Sequence, residues 1–391
     1  MDRKVYLDNA STTYISSEVL NEMMPCFNTI YGNASSLHSF GRDAQAMVDR
    51  ARDKIAKAIN ANSTELYFTS GGTEANNWAI KGLAHANKDK GKHIIVSKIE
   101  HESILQSCKE LEKEGFEVTY LNVDSEGLVK LTDLLHYIRK DTILVSVMAA
   151  NNEVGTIQNI KAIASIVHDN GAIFHTDAVQ ALGHLKIDVQ DMDIDAMTIS
   201  AHKIHGPKGI GALYLKKGIK IESLIVGGNQ ESGKRGGTLN VPNIVGFGKA
   251  AEIATRDLVA VNQKLKTIRD YFVRSVMEKI DYVKYNGHPY QKINNIVNFS
   301  FDLVEGEAVL MMLDMEGVAV STGSACETGS VEPSHVLLAM GLTDSEARSA
   351  IRFSFSKSTT KDDIDYTVDT LVKVIAKLRS ISAVTKTGRA K

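Results

Sequence analysis

The stretch Met197-Thr-Ile-Ser-Ala-His-Lys-Ile-His-Gly-Pro-Lys-Gly-Ile-Gly211 sets a lysine just past an apolar run and just ahead of a Gly- and Pro-rich turn. Met197–Ser200 has the character of a buried strand, so Ala201-His202-Lys203 falls at its carboxyl end. Lysines normally stay in water. A lysine drawn out of water has a lowered pKa and a free, nucleophilic amine. A surface lysine at a strand end fits the same residues, so the surrounding chain has to discriminate.

Outward from this stretch, between about residues 40 and 215, helical periodicity alternates with short apolar runs. Ala44, Met47, Val48, Ala51, Ile55, Ala58 and Ile59 recur at helical spacing. Strands are expected at Glu65–Thr69, Ile94–Ser97, Val118–Leu121, Ile143–Met148, Ala172–Thr176 and Met197–Ser200, with helices such as Ser103–Lys113 and Lys161–Asn170 between several of them. This alternation predicts an α/β fold, a mostly parallel sheet with helices on both faces. After Pro242 a long amphipathic segment leads through Ile253, Leu265 and Phe272 into a smaller α+β unit formed by Asn294–Phe301, Glu307–Met315, Val318–Ser321, Arg348–Phe355 and Ile364–Leu378.

Composition narrows the function. The chain has 391 residues, 43% hydrophobic and 24% charged, and a formal net charge of −2. Without a polybasic block, nothing argues for nucleic acid or a membrane surface. The N-terminus lacks the apolar core of a signal peptide, and the longest apolar run, Ile143–Ala150, is far too short to span a bilayer. The three cysteines, Cys26, Cys108 and Cys326, form no CxxC pair. That pattern suits free thiols in a reducing compartment, so a cytoplasmic protein is expected.

Ligands of open α/β sheets bind outside the carboxyl ends of the strands. The residues just past the expected strands are Ser70-Gly-Gly-Thr-Glu-Ala-Asn76, Glu100-His-Glu-Ser103, Ala149-Ala-Asn-Asn-Glu-Val-Gly155, Asp177-Ala-Val-Gln180 and Ala201-His-Lys203. Gly71-Gly-Thr73 opens a helix and suits a phosphate, or is an ordinary glycine turn with Thr73 as N-cap. His101 opens another helix, where a neutral ring can stack on a flat ligand or serve as a half-buried cap. Asp177, ending an apolar strand, needs a cation or strong donors, unless it caps a helix. His202 and His205 have no evident third ligand, so no metal site is expected. Together, a phosphate cradle, a buried Asp, a stacking His and a free Lys match pyridoxal phosphate. That cofactor needs an amine for its Schiff base, a carboxylate for its pyridinium proton and a phosphate cup.

With Tyr6–Ala10, Gly32–His38, Ser70–Glu74, Glu100-His101, Asn151–Gly155, His175–Gln180, Ser200–Lys203, Arg235–Asn240 and Ser321–Cys326, the chain resembles the cysteine desulfurases of the NifS/IscS type, NifS-like in particular. These belong to the class V branch of fold-type I pyridoxal-phosphate enzymes, and the resemblance covers nearly the whole chain. It implies a large cofactor-binding domain over 16–255, with a mostly parallel seven-stranded sheet. A small α+β domain would comprise 1–15 and 256–391 and carry a catalytic cysteine loop at about 321–333. It further implies that Lys203 is the Schiff-base lysine, that Asp177 pairs with the pyridine nitrogen, and that His101 stacks on the ring and shuttles a proton. Gln180 and Asn152 would bond the phenolic oxygen. Gly72, Thr73, Ser200 and His202 would hold the phosphate, with Thr238 completing the cup from the partner subunit of a homodimer. Arg352, with Asn33 and Asn152, would hold the carboxylate of the substrate L-cysteine.

Cys326 lies in Ser321-Thr-Gly-Ser-Ala-Cys-Glu-Thr-Gly-Ser330, a Gly/Ser-rich stretch whose composition predicts mobility. By the resemblance its thiolate attacks the substrate sulfur, leaving alanine and a persulfide. The persulfide would pass to an iron–sulfur scaffold protein of the NifU/IscU type, with Cys326 touching a cluster only in transit. Cys26 and Cys108, in helical patterns, should be inert. Two positions depart from the family: Glu327 stands where a small polar residue is frequent and would raise the neighbouring thiol's pKa if turned toward it, and Ala75 replaces a frequent Ser. Selenocysteine lyases and class V aminotransferases share the cofactor contacts, although an aminotransferase needs no nucleophilic thiol. A sulfur-carrying scaffold without catalysis would have no use for Lys203, Asp177 and His101.

Overall fold

The computed structural model describes residues 3–322 and 332–381. After a short β1 (Val5–Tyr6), seven strands build the main sheet: β2 (Leu66–Thr69), β3 (His93–Ser97), β4 (Glu117–Leu121), β5 (Thr142–Ser146), β6 (Ile173–Asp177), β7 (Ala196–Ser200) and β8 (Gly211–Leu215). Their order is β2-β8-β7-β6-β5-β3-β4; β8 pairs antiparallel with both neighbours and every other pairing is parallel. The strands β3, β5, β7 and β8 are buried along their whole length. Helices cover both faces, which is why these strands read as continuous apolar runs rather than alternating ones. The buried His93 on β3 is satisfied by its neighbours: it bonds Thr142 Oγ1 at 2.7 Å and Thr119 Oγ1 at 2.8 Å, one on each adjacent strand.

The six expected strands of the main sheet all form. The seventh, β8, follows the Gly-Pro turn so closely that in sequence it merges with the approach to Lys203. The segment expected to be one long helix after Pro242 is two, Val241–Arg256 and Leu258–Lys279, broken at Asp257.

A second sheet has the order β12-β10-β9, with β9 (Val283–Asn286), β10 (Ile296–Phe301) and β12 (Ala350–Ser354) all antiparallel. The helices Leu258–Lys279 and Lys361–Ile381 contribute to its separate apolar core, in which Phe272 lies 4.8 Å from the Phe353 ring and 5.5 Å from that of Phe355. In addition, β1 pairs in parallel with β11 (Val318–Ala319), so Val5 and Leu7 pack into this second core. From there the N-terminal segment crosses to the main sheet. Asn9 Nδ2 donates to Ser354 O at 2.8 Å, while Thr13 N donates to His202 O at 2.9 Å. Residues 8–13 are thereby laid across the carboxyl ends of β6 and β7. Among the described residues, no helix is long and apolar enough to cross a membrane.

Candidate active site

Lys203 ends the single 3-10 turn that follows β7, and its Nζ donates to the carbonyls of Ala10 and Ser11, the latter at 2.8 Å. Gln180 Nε2 donates to the same Ala10 carbonyl at 2.8 Å, so two of the expected site residues converge on one backbone oxygen. Lys203 is therefore no surface lysine. It lies half-buried under the N-terminal segment.

Asp177 is the last residue of β6, and only 5% exposed. It caps no helix: Oδ1 accepts from Val179 N at 2.9 Å and Oδ2 from Asn76 Nδ2 at 2.7 Å. A buried carboxylate held by two neutral donors is suited to a cationic partner such as a pyridinium. His101, by contrast, takes the cap reading of its position. It is the N-cap of Glu102–Lys113, its Nδ1 accepting from Ser103 N at 3.1 Å, and it stays partly exposed at the strand-end rim.

The residues expected to cradle a phosphate come from three strand ends. Gly72 opens the helix after β2, with Gly71 rather than Thr73 as its N-cap. A Cβ on Gly72 would lie 3.0 Å from Val179 and 3.8 Å from Ser200 Cβ, so this glycine touches the ends of β6 and β7 together. Gly211 holds the turn close: a Cβ there would lie 2.7 Å from the Gly71 carbonyl carbon and 2.8 Å from Ile199 O, both backbone. Neither atom can yield without moving the cradle. Gly211→Ala is expected to weaken cofactor affinity about tenfold or more, the scale of ~1–3 kcal/mol of overpacking, in a pyridoxal-phosphate titration followed by absorbance.

His202 bonds Thr12 Oγ1 through Nδ1 at 3.2 Å. Burial, with Lys203 and Lys208 nearby, lowers its pKa to about 4, so the ring is neutral at physiological pH. His205 turns elsewhere, against the Tyr14 ring at 4.6 Å, so the two histidines do not share a ligand position. Ala75 is fully buried in apolar surroundings, and a Ser hydroxyl is not missed there.

Arg352 on β12 is 3% exposed. It donates to Asn152 O at 3.0 Å, Asp8 Oδ1 at 2.9 Å and Ser11 Oγ at 2.7 Å, while its buried Nε has no partner among the described residues. Asn152 is presented by a turn that its neighbour builds: Asn151 Oδ1 accepts from Glu153 N at 2.9 Å and Val154 N at 3.0 Å. Asn33 is exposed, its Oδ1 accepting from Ser35 N at 2.9 Å. Thr238 is also exposed, three residues beyond Arg235, whose ion pair with Glu74 at 2.9 Å ties that segment to the cradle helix.

Cys326 and Glu327 lie outside the described residues. Both flanks of that gap are anchored beside the site. Ser321 exchanges backbone hydrogen bonds with Arg352 at 3.1 and 2.7 Å; Ser334 Oγ bonds Glu153 Oε2 at 2.5 Å, and His335 Nε2 bonds Glu100 O at 3.0 Å. Cys26 and Cys108 are both buried, and burial pushes both thiols up from their ordinary pKa. The sequence pointed to no role for Asp8, Ser11, Thr12, Asn76 or Ser103. The visible traces were the polar Asp-Asn-Ala-Ser-Thr-Thr run at 8–13 and the place of Asn76 and Ser103 at the ends of two strand-end stretches.

The Aminotransferase class-V family matches residues 5–367. The chain is 52% identical over 382 residues to the cysteine desulfurase IscS of Dictyoglomus turgidum (strain DSM 6724 / Z-1310), covering 98% of this chain and 97% of that one. The chain belongs to the cysteine desulfurases of aminotransferase class V. A solved NifS-like protein superimposes with a TM-score of 0.91 at 37% identity, over 96% of this chain and all (100%) of the other. A solved structure described as SspA in complex with cysteine has a TM-score of 0.81 at 35% identity, over 91% of this chain and 99% of that one. Enzymes of this family depend on pyridoxal phosphate. The buried Asp177, the glycine cradle and Lys203 fit that cofactor.

Proposed function

We propose that the protein removes sulfur from L-cysteine, yielding L-alanine and a persulfide on Cys326. The observation that carries this reading is that Lys203 and Arg352 meet at one residue: Lys203 Nζ donates to Ser11 O at 2.8 Å and Arg352 to Ser11 Oγ at 2.7 Å. A cofactor-bearing amine and a carboxylate clamp separated by one residue suit an α-amino acid. The relative described as bound to cysteine supports the substrate.

Pyridoxal phosphate, once bound, supplies an electron sink for charge developing at the substrate Cα. Asp177 maintains the positive ring nitrogen that the sink requires. Gly72, Thr73, Ser200 and the neutral His202 hold the phosphate, with Thr238 contributed by the partner subunit. Gln180 and Asn152 orient the ring oxygen, and Asn33 assists Arg352. Lys203 and His101 move protons between substrate and protein, and Arg352 fixes the carboxylate. Arg352→Lys keeps the charge but not the planar fork, and KM for cysteine is expected to rise roughly 10- to 100-fold with a smaller change in kcat, as steady-state kinetics will show.

The division into 16–255 against 1–15 with 256–391 is part of this proposal, supported by the two separate sheets and the separate core of the second, although Ile293, Ile296, Val336 and Leu337 pack into the core of the main sheet. A homodimer is supported by large exposed apolar side chains at Phe27, Tyr31, Leu37 and Val226, which need a cover. An iron–sulfur scaffold as sulfur acceptor and a cytoplasmic location complete the reading. The test is incubation of the purified protein with L-cysteine and a thiol reductant, which frees the outer persulfide sulfur as sulfide, assaying alanine and sulfide, beside a parallel run with selenocysteine. Equimolar alanine and sulfur are expected. Turnover on selenocysteine alone would reassign the substrate.

A further inference from the structure

Asn76 and Ser103 belong to neither the cofactor contacts nor the substrate clamp, yet they fill the space between two residues that do. Asn76 is 1% exposed and Ser103 7%. Asn76 Nδ2 lies 2.7 Å from Asp177 Oδ2 and 2.9 Å from Ser103 Oγ. Ser103 Oγ in turn lies 2.8 Å from His101 Nδ1, which the Ser103 backbone N–H also faces at 3.1 Å.

The direction of every bond in this chain follows from its ends. A carboxylate only accepts, so the Asn76 amide must turn its NH2 toward Asp177, although this leaves its own buried Oδ1 without a partner among the described residues. The second hydrogen of that NH2 goes to Ser103 Oγ. A hydroxyl that already accepts from Asn76 has one proton to give, and His101 Nδ1 is the acceptor in reach. Nδ1 therefore faces a hydroxyl and a backbone N–H, both donors, and must be a bare lone pair. The neutral ring then carries its proton on Nε2.

We infer that Asn76 and Ser103 are positioning residues that set the tautomer of His101 through an ordered chain running Asp177–Asn76–Ser103–His101. Neutral His101 thus presents a hydrogen-bond donor, not a basic lone pair, at Nε2. Taking up a proton at Nδ1 first requires the Ser103 hydroxyl to rotate away, and the backbone N–H of Ser103 still opposes it. The chain also joins the carboxylate assigned to the ring nitrogen to the imidazole assigned to the ring face, through protein alone. That consequence rests on the cofactor reading given under Proposed function; the tautomer itself does not.

Solid-state 15N NMR of histidine-labelled holoenzyme, with the His101 signals assigned by difference from His101→Asn, reads the tautomer directly. Wild type should show a bare Nδ1 and a protonated Nε2, with or without cofactor. Ser103→Ala should lower the Nε2–H to Nδ1–H ratio roughly three- to tenfold, the worth of one neutral hydrogen bond. Ser103→Thr, which restores a hydroxyl, should restore it. Asn76→Leu should shift the ratio in the same direction, and an unchanged ratio there removes Asn76 from the chain. A wild-type ring protonated on Nδ1, or a ratio indifferent to Ser103→Ala, overturns the inference. A borohydride-sensitive visible band, read on the same samples, tests the cofactor reading separately: its absence from wild type would sink that reading and leave the tautomer result standing.

Discussion

Lys203→Ala should purify without a borohydride-sensitive visible band and lose at least about a thousandfold in alanine formation, the scale on which losing a covalent or proton-transferring group acts. The physical basis is the lysine's placement. Its amine rests on the Ala10 and Ser11 carbonyls, at the ends of β6 and β7, where Asp177 and the glycine cradle also converge. None of the flanking cations can take its place. Lys208 Nζ is directed to Thr13 O at 3.4 Å, and the Arg352 guanidinium is committed to Asp8, Ser11 and Asn152. The fold should survive the substitution, because the carbonyls released at Ala10 and Ser11 remain open to Gln180 or to water. Absorbance and single-turnover assays of wild type and variant provide the measurement. A variant that keeps the band would show that another amine carries the cofactor.

Cys326→Ala is expected to do the opposite to colour and the same to sulfur: a full visible band, with sulfide and persulfide formation reduced by about a thousandfold or more. Of the three cysteines, Cys26 and Cys108 cannot substitute. Both are buried, and burial raises their thiol pKa values, so neither presents a thiolate. Cys326 is five residues beyond Ser321, which is bound backbone to backbone to Arg352. Five residues reach at most about 18 Å, so the covalent chain alone keeps Cys326 within that distance of Ser321. Persulfide trapping with an alkylating probe, followed by peptide mass analysis, should place the transferred sulfur on Cys326. Sulfur found on Cys26, or full turnover by Cys326→Ala, would show that the assigned nucleophile is wrong.

The two variants separate the cofactor's anchor from the step that distinguishes this enzyme within its fold. Loss of colour and loss of sulfur transfer are independent readings, and a protein lacking both at the outset would be a scaffold rather than a desulfurase.

Much of this site was legible because strand-end chemistry is local. A buried strand announces itself by a short apolar run, and the next few residues lie on the sheet's carboxyl rim wherever the strand sits in the order. Gly72, His101, Asn152, Asp177 and Lys203 could each be picked out in that way. Cys326 could be identified by family resemblance and by elimination of two cysteines in apolar helical patterns. The strand β8 was not legible, since Gly211 begins it immediately after a turn and its antiparallel direction is set by pairing, not by composition.

What local sequence could not carry was the wiring between the rim residues. Asp8, Ser11 and Thr12 become site residues only because β1 pairs with β11 and the segment after it is drawn across to His202 and Arg352. Asn76 and Ser103 read as ordinary polar residues of two helices until the packing of those helices sets them between Asp177 and His101. Which residues stand at the strand ends is determined by local patterning, because period and polarity are properties of neighbouring residues. Which of them touch, and which atom of each donates, is decided by contacts between segments up to some 340 residues apart, and only the tertiary fold brings those together.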